Sequence, residues 1–105
     1  MKPADLARNF TGQTRAVSEA TADPATAAYI SDCFLLMFSG MYGKVPAEDA
    51  EANTAELESG EGRILARYEA RGKLREDIYI IAYFSESNPG NIDYNNNLVM
   101  YCSEY

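Results

Sequence analysis

Hydrophobic residues in the C-terminal half of the chain fall into three short runs separated by polar segments. The runs are rich in Ile, Val, Tyr and Phe, whereas Gly, Pro and Asn occupy the segments between them. Short runs of this composition, bounded by turn-forming residues, are typical of β-strands. The pattern therefore predicts three strands, at residues 62–69, 77–84 and 97–103.

The distribution of polar residues within the runs predicts the order of the strands. In the first strand, Ile64 and Tyr68 alternate with Arg67, so one face of that strand is polar. In the second strand, both alternating sets of positions are apolar or aromatic, as expected for a strand with both faces covered. We therefore place the second strand in the middle of an antiparallel meander.

Helical spacing of apolar residues predicts a long central helix at residues 24–42. Apolar residues, among them Ile30, Phe34 and Met41, recur there at intervals of three or four, and Gly40 or Gly43 is expected to end the helix. Asp23 is a suitable N-cap, and Pro24 suits the first helical position because its missing N–H would be unbonded there. A second apolar stripe beside the first indicates a helix that is buried on most sides.

Two further helices are predicted from weaker signals. Leu6 and Phe10 form an i, i+4 apolar pair in a thin apolar stripe, which predicts a helix at residues 3–20. A third helix is predicted at residues 46–58, where acidic residues in the first turn favour the positive end of the helix dipole and Gly60 is expected to end the helix. The predicted fold class is α+β, with two to three helices packed on a three-stranded antiparallel β-meander in a single domain over residues 1–105.

Charge and composition exclude several classes of function. The chain of 105 residues has a net charge of −7 and a sequence pI near 4.4, whereas contacts with nucleic acid or with an anionic membrane need clustered Lys and Arg. The longest apolar run, residues 33–38, is too short to span a bilayer, and the N-terminal residues lack the apolar region of a signal peptide. We therefore expect a cytoplasmic protein that binds neither nucleic acid nor membrane directly, and whose acidic surface attracts a basic protein partner.

Residues suited to catalysis or to metal binding are few. The chain has no histidine, which is the commonest general base and a common metal ligand. Cys33 and Cys102 lack the spacing of a metal site, so we expect two buried reduced thiols, with a disulfide between them as the alternative. We expect no metal, no cofactor and no catalytic residue; an enzyme that uses carboxylates is the remaining catalytic alternative.

Five segments carry a resemblance to a known family. They are the glycine pair at residues 40–43, the V-P-A-E-D sequence at 45–49, the G-R-I-L-A-R-Y sequence at 62–68, the apolar strand at 78–82 and the E-Y ending at 104–105. In this order they resemble the "plasmid-related protein" family of small proteins carried on plasmids, phages and other mobile elements. The resemblance covers the last two-thirds of the chain and implies a shared fold and an origin in a mobile element. It brings no known activity, and Met41 and Tyr42 stand where the family has a tryptophan.

The most prominent candidate surface is an acidic cluster on the third helix. It consists of Glu48, Asp49, Glu51, Glu56 and Glu58. The simpler interpretation is a solvated helix face whose charge complements the helix dipole. The functional interpretation is a surface that occupies the nucleic-acid groove of a basic protein, which is how small acidic proteins of mobile elements can block restriction or CRISPR complexes.

A polar loop at residues 85–97 and two tyrosines are further candidates. Tyr42 and Tyr94 are predicted to bind a partner, because an amphipathic ring in a turn can anchor an interface. Asp93 and Asn95 echo the ligand spacing of a calcium-binding EF-hand loop, but a leucine stands where that loop needs glycine. A hairpin connection that offers a contact surface is the preferred interpretation of this loop.

Together these features predict a non-enzymatic interaction protein. The preferred hypothesis is an inhibitor of a host-defence complex, of the anti-CRISPR or anti-restriction type, that acts through the acidic helix and the polar loop. The alternative is a small self-associating accessory module, a homodimer that forms through an exposed sheet edge at residues 63–69 or 97–103.

Overall fold

The computed structural model describes residues 10–105 as three helices packed on a four-stranded sheet. The elements in chain order are β1 (Phe10–Gln13), α1 (Arg15–Thr21), α2 (Pro24–Phe38), α3 (Ala47–Ser59), β2 (Glu61–Tyr68), β3 (Ile78–Ser85) and β4 (Asn96–Tyr101), followed by a 3-10 turn (Cys102–Glu104). The strands lie in the order β1-β4-β3-β2. β3 is antiparallel to both β2 and β4, as the sequence predicts, whereas β1 is parallel to β4. The α+β fold class is therefore confirmed.

The predicted N-terminal helix is wrong at residues 10–13 and confirmed at residues 15–20, which belong to α1. A helix was expected at residues 3–20, but residues 10–13 form β1. This strand adds a fourth member to the predicted three-stranded antiparallel sheet and makes the sheet mixed, because it is parallel to β4. Residues 3–9 lie outside the described residues. The helix α1 begins only after Thr14, whose hydroxyl accepts a hydrogen bond from Val17 N (3.4 Å). Pairing with β4 therefore prevails over a weak local preference for helix.

The beginning of α2 is confirmed, and its end differs from the prediction. Asp23 is the N-cap, and its carboxylate accepts a hydrogen bond from Thr26 N at 3.0 Å. The helix ends at Phe38 rather than at residue 42, just before Gly40, the first of the two glycines expected to end it, whose φ of +90° favours glycine. One flank is not buried, because Leu36 is 39% exposed. The expectation of a helix buried on most sides is therefore wrong on that flank.

The core lies between the helices and one face of the sheet. It contains residues such as Cys33 and Met37 from α2, which are fully buried together with Ile64, Ile80 and Val99 from three strands. The opposite face of β2, β3 and β4 carries mostly half-buried or exposed side chains, with Ile81 (5% exposed) buried among them. The C-terminal residue packs on that opposite face: the rings of Tyr79 and Tyr105 are 5.2 Å apart, and Arg63 donates a hydrogen bond to the Tyr105 hydroxyl (3.0 Å).

The outer edge of β2 is occupied in two places. Arg67 pairs with the segment at residues 42–44, since Arg67 N donates to the Tyr42 carbonyl (3.1 Å) and Lys44 N donates to the Arg67 carbonyl (2.8 Å). Asn53 of α3 completes the edge: its side-chain amide donates to the Leu65 carbonyl (2.7 Å) and accepts from Leu65 N (3.2 Å). Asn53 thus bonds to β2 as a neighbouring strand would.

These pairings bear on the hypothesis that the protein forms a dimer through an exposed edge of the sheet. β4 lies between β1 and β3, so the prediction that residues 97–103 form an edge is wrong. Residues 63–69 do belong to an outer strand, but part of its edge is already hydrogen-bonded. Among residues 10–105, none of the helices is long and apolar enough to cross a membrane.

Candidate interaction surface

The helix α3 carries four exposed carboxylates, three of them on its outward side. The helix turns Ala50, Asn53 and Leu57 toward β2 and the core, and a spacing of three or four residues places these positions on one side. The opposite side presents the acidic face, which we define as Glu48, Glu51 and Glu58, whereas the exposed Asp49 lies four residues before Asn53 and therefore on the same flank as Asn53. Gly60 ends the helix in the left-handed conformation at a φ of +79°, as the sequence predicts.

The carboxylates of the acidic face form no ion pair within the described residues. The ion pairs formed between residues 10 and 105 involve other carboxylates, such as Glu19 and Asp77. Glu51 and Glu58 are two helical turns apart, which puts them on the same side of α3 at a spacing of about 10 Å along the axis. The structure therefore presents these charges to solvent without internal neutralisation.

Glu56, also predicted for this cluster, is not part of the acidic face. Its side chain is half-buried and lies over Gly62 of β2, in the space where any larger residue at that position would place its Cβ atom. Gly62 has a φ of +137°, which also favours glycine. Glu56 is therefore involved in packing between α3 and the sheet.

The two predicted tyrosine anchors have different surroundings. Tyr42 is only 4% exposed, and its hydroxyl is 3.0 Å from Thr54 Oγ1, so it is not the exposed anchor that its position near glycines suggests. Tyr94 is 52% exposed, and its role as a contact residue stays a prediction. Tyr94 lines a groove of about 430 Å³ together with Arg63 and Tyr83.

The polar loop before β4 is organised by one buried side chain. The Asn95 carboxamide accepts a hydrogen bond from Ser85 N (3.0 Å) and donates to the carbonyls of Asn88 (2.8 Å) and Asn91 (3.0 Å). This amide is therefore committed to closing the loop. Within the described residues, no group of three or more Cys, Asp or Glu side chains is arranged to hold a metal ion.

An apolar groove beside the acidic face was not predicted. This Met41 groove has a volume of about 490 Å³ and is lined by Leu36, Met41, Tyr42, Val45, Ala50 and Tyr68. Met41 is 60% exposed, although the sequence pattern placed it in the buried stripe of a longer helix. The glycines at positions 40 and 43 are the signal that could have found it, because both have positive φ and take this residue out of α2.

A second, smaller groove connects the Met41 groove with the acidic face. Its volume is about 350 Å³, and Glu51, Thr54 and Glu58 line it on the α3 side. Tyr42 and Ala50 line both grooves, so the two are adjacent. Apolar and acidic groups of the surface therefore meet along one side of α3.

Lys44, the residue after Gly43 of the Met41 groove, forms ion pairs with two acidic side chains. Its Nζ lies 3.4 Å from Glu69 Oε1 and 3.5 Å from Asp77 Oδ2. Asp77 also accepts hydrogen bonds from Ala70 N (3.1 Å) and from Arg67 Nη2 (3.1 Å). The bond from Ala70 N and those from Arg67 hold the pKa of Asp77 below its ordinary value of 3.8.

We expect the Asp77→Asn substitution to remove a pH-dependent part of the stability. Because the pKa of Asp77 is lowered by folding, the carboxylate stabilises the fold above pH 3.8, and this contribution is lost as the pH falls through the folded pKa. The difference in unfolding free energy between wild type and variant should therefore shrink in acid. Urea unfolding from neutral to acidic pH would measure it; a difference independent of pH would contradict the assignment.

The two cysteines are both free thiols. Cys33 is buried in the core and Cys102 is half-buried. Burial raises the pKa of both thiols, and this disfavours the thiolate form that a nucleophile needs. The prediction of a buried thiol is therefore confirmed for Cys33 and wrong for Cys102, which is only half-buried.

Comparisons with known proteins returned no match: no protein-family model, no curated protein sequence and no solved structure matches this chain. The resemblance to the plasmid-related family therefore stays a prediction. The function is argued below from the charges, exposure and contacts of the described residues.

Proposed function

We propose that this protein is a non-enzymatic interaction protein that binds a basic protein partner through the acidic face of α3. The observation that carries the proposal is the absence of any cation paired with the carboxylates of this face within the described residues. The net charge of −7 acts in the same direction, because it attracts positively charged surfaces and repels acidic ones.

A narrower form of the proposal follows the hypothesis drawn from the sequence: the partner is a nucleic-acid-binding complex of host defence. The acidic face would then occupy the surface that the partner uses for phosphate groups, and binding would compete with nucleic acid. What supports this form is the sign of the charge and its accumulation on one helix. If this protein binds the nucleic-acid site of the partner, added DNA or RNA should displace it. If it binds another part of a basic partner, added DNA or RNA should not displace it.

The test is an affinity pull-down from host-cell lysate with three versions of the full chain. The versions are wild type, the double variant Glu48→Lys and Glu51→Lys, and the control double variant Glu19→Lys and Asp32→Lys. Both variants change the net charge equally, but only the first alters the acidic face. We expect wild type and control to capture the same basic protein, with recovery falling as salt rises, and the acidic-face variant to lose it. Equal capture by all three would contradict the proposal.

Self-association is the second candidate, and the solvent-facing side of the sheet favours it. This side carries half-buried apolar residues, including Leu65, Leu98 and Met100, and apolar surface left open in a monomer is often covered in an assembly. Sedimentation velocity over a range of protein concentrations would test it. A dimer that persists on dilution and captures no other protein would favour this candidate over the first.

A further inference from the structure

We infer that the Met41 groove and the acidic face form one binding site for an apolar and basic segment of a partner protein. A large apolar side chain of this segment enters the Met41 groove, and Lys or Arg side chains beside it pair with Glu51 and Glu58. The inference rests on the proposed function and specifies the chemistry of the partner.

The apolar half of the site is preformed around an exposed methionine. The backbone of Met41 is fixed on both sides, since its N–H donates to the Leu36 carbonyl (2.9 Å) and its carbonyl accepts from the Tyr68 hydroxyl (2.7 Å). Its side chain nevertheless remains 60% exposed, next to Leu36 at 39%. A rigid backbone lowers the entropic cost of binding, and a methionine side chain adapts to apolar groups of different shapes.

The charged half of the site determines which apolar segments can bind. The smaller groove continues from Tyr42 and Ala50 to the carboxylates of Glu51 and Glu58. An acidic segment would be repelled there, and an uncharged one would leave the carboxylates without compensation. Positively charged groups flanking an apolar one therefore match the site best, in the usual arrangement of an apolar centre with a polar rim.

The nearby basic residue does not neutralise this site. Lys44 follows Gly43 of the Met41 groove, but its ammonium group lies within ion-pair distance of Glu69 and Asp77. The carboxylates of the acidic face form no ion pair with it. Within the described residues, their compensation is thus left to a partner.

The probe is a displayed library of random peptides, selected for binding to the immobilised full chain. We expect the enriched peptides to combine a large apolar residue with neighbouring Lys or Arg. The affinity of a selected peptide is then measured by fluorescence anisotropy with wild type and with the variants Met41→Gln and Leu36→Gln. The matched control is Leu35→Gln, because Leu35 is the preceding residue of α2, is 55% exposed and lines a different groove. A fourth variant, Glu51→Gln with Glu58→Gln, tests the charged half.

Loss of affinity by about tenfold or more in Met41→Gln and in the Glu51 and Glu58 variant, with none in Leu35→Gln, is the expected result. Peptides that are basic only, and that bind Met41→Gln as well as wild type, would overturn the joint site while leaving the acidic face as a binding surface. An equal loss in Leu35→Gln would also overturn it, because the contact would then be unspecific. If no peptide binds wild type more tightly than it binds the variant Glu48→Lys with Glu51→Lys, both this inference and the proposed function fail. Circular dichroism checks that each variant is folded.

Discussion

Replacing Gly43 by alanine is expected to lower the free energy of unfolding by about 2–5 kcal/mol. Gly43 has a φ of +72°, and a Cβ atom on it would overlap the carbonyl oxygen of Arg67, which is backbone and cannot move aside cheaply. That carbonyl accepts the hydrogen bond from Lys44 N (2.8 Å) that ties the segment to β2. The substitution therefore strains the left-handed residue and separates the segment from the sheet edge at once. Urea or thermal unfolding followed by circular dichroism would measure the loss.

Gly90→Ala provides a matched control for the contribution of the backbone angle. Gly90 has a φ of +78°, close to that of Gly43, but a Cβ atom there would meet nothing within 4 Å. We expect the free energy of unfolding of this variant to fall only by the cost of a left-handed alanine, about 1 kcal/mol. If both variants lost the same amount, the close approach of Gly43 to β2 would contribute nothing, and the covered edge of β2 would be in doubt.

The features that the sequence predicts correctly are those decided by neighbouring residues. The Asp23–Pro24 pair begins α2 and Gly60 ends α3, because caps depend on side chains and backbone angles within one helical turn. The central position of β3 follows from its own composition, since both of its faces carry apolar or aromatic residues. These signals are contained in short segments, so one sequence is enough to read them.

The parts that were missed depend on pairing between distant segments. β1 contains a threonine, a glycine and a glutamine after Phe10, and its four residues carry no alternating pattern. It becomes a strand because β4, more than eighty residues later, offers its edge, with Thr11 opposite Asn97 in the register. No local preference encodes such a pairing, and a weak helical pattern can therefore mislead.

The sequence predicts the charged part of the candidate site but not its apolar part. Acidic residues on a surface helix are visible as such in the sequence, and four of the five predicted for α3 are exposed. Tyr42 and Met41 are neighbours between two glycines, and the sequence does not tell which of them turns inward. The structure buries the tyrosine, whose hydroxyl contacts Thr54, and exposes the methionine. A prediction from residue type alone therefore selected the buried member of the pair.

The second large effect is expected at Asn53, where alanine should lower the free energy of unfolding by about 2 kcal/mol. The substitution removes both hydrogen bonds to Leu65, at 2.7 and 3.2 Å, from a position that is 6% exposed. It leaves a backbone N–H and a carbonyl of β2 without these partners. Alanine forms helices better than asparagine, and this offsets only about 0.5 kcal/mol. Urea unfolding would give the net change.

Ala52→Asn is the matched control, since it exchanges the same two residue types at the preceding, exposed position of α3. It should cost only the difference in helix propensity, about 0.5 kcal/mol. A similar small change in Asn53→Ala would mean that water replaces the asparagine at the edge of β2 without penalty. The edge at residues 63–69 would then be open to pairing with a second copy, and self-association would gain over binding of a basic partner. A large loss would instead make Asn53 the residue that anchors α3, and with it the acidic face, against the sheet.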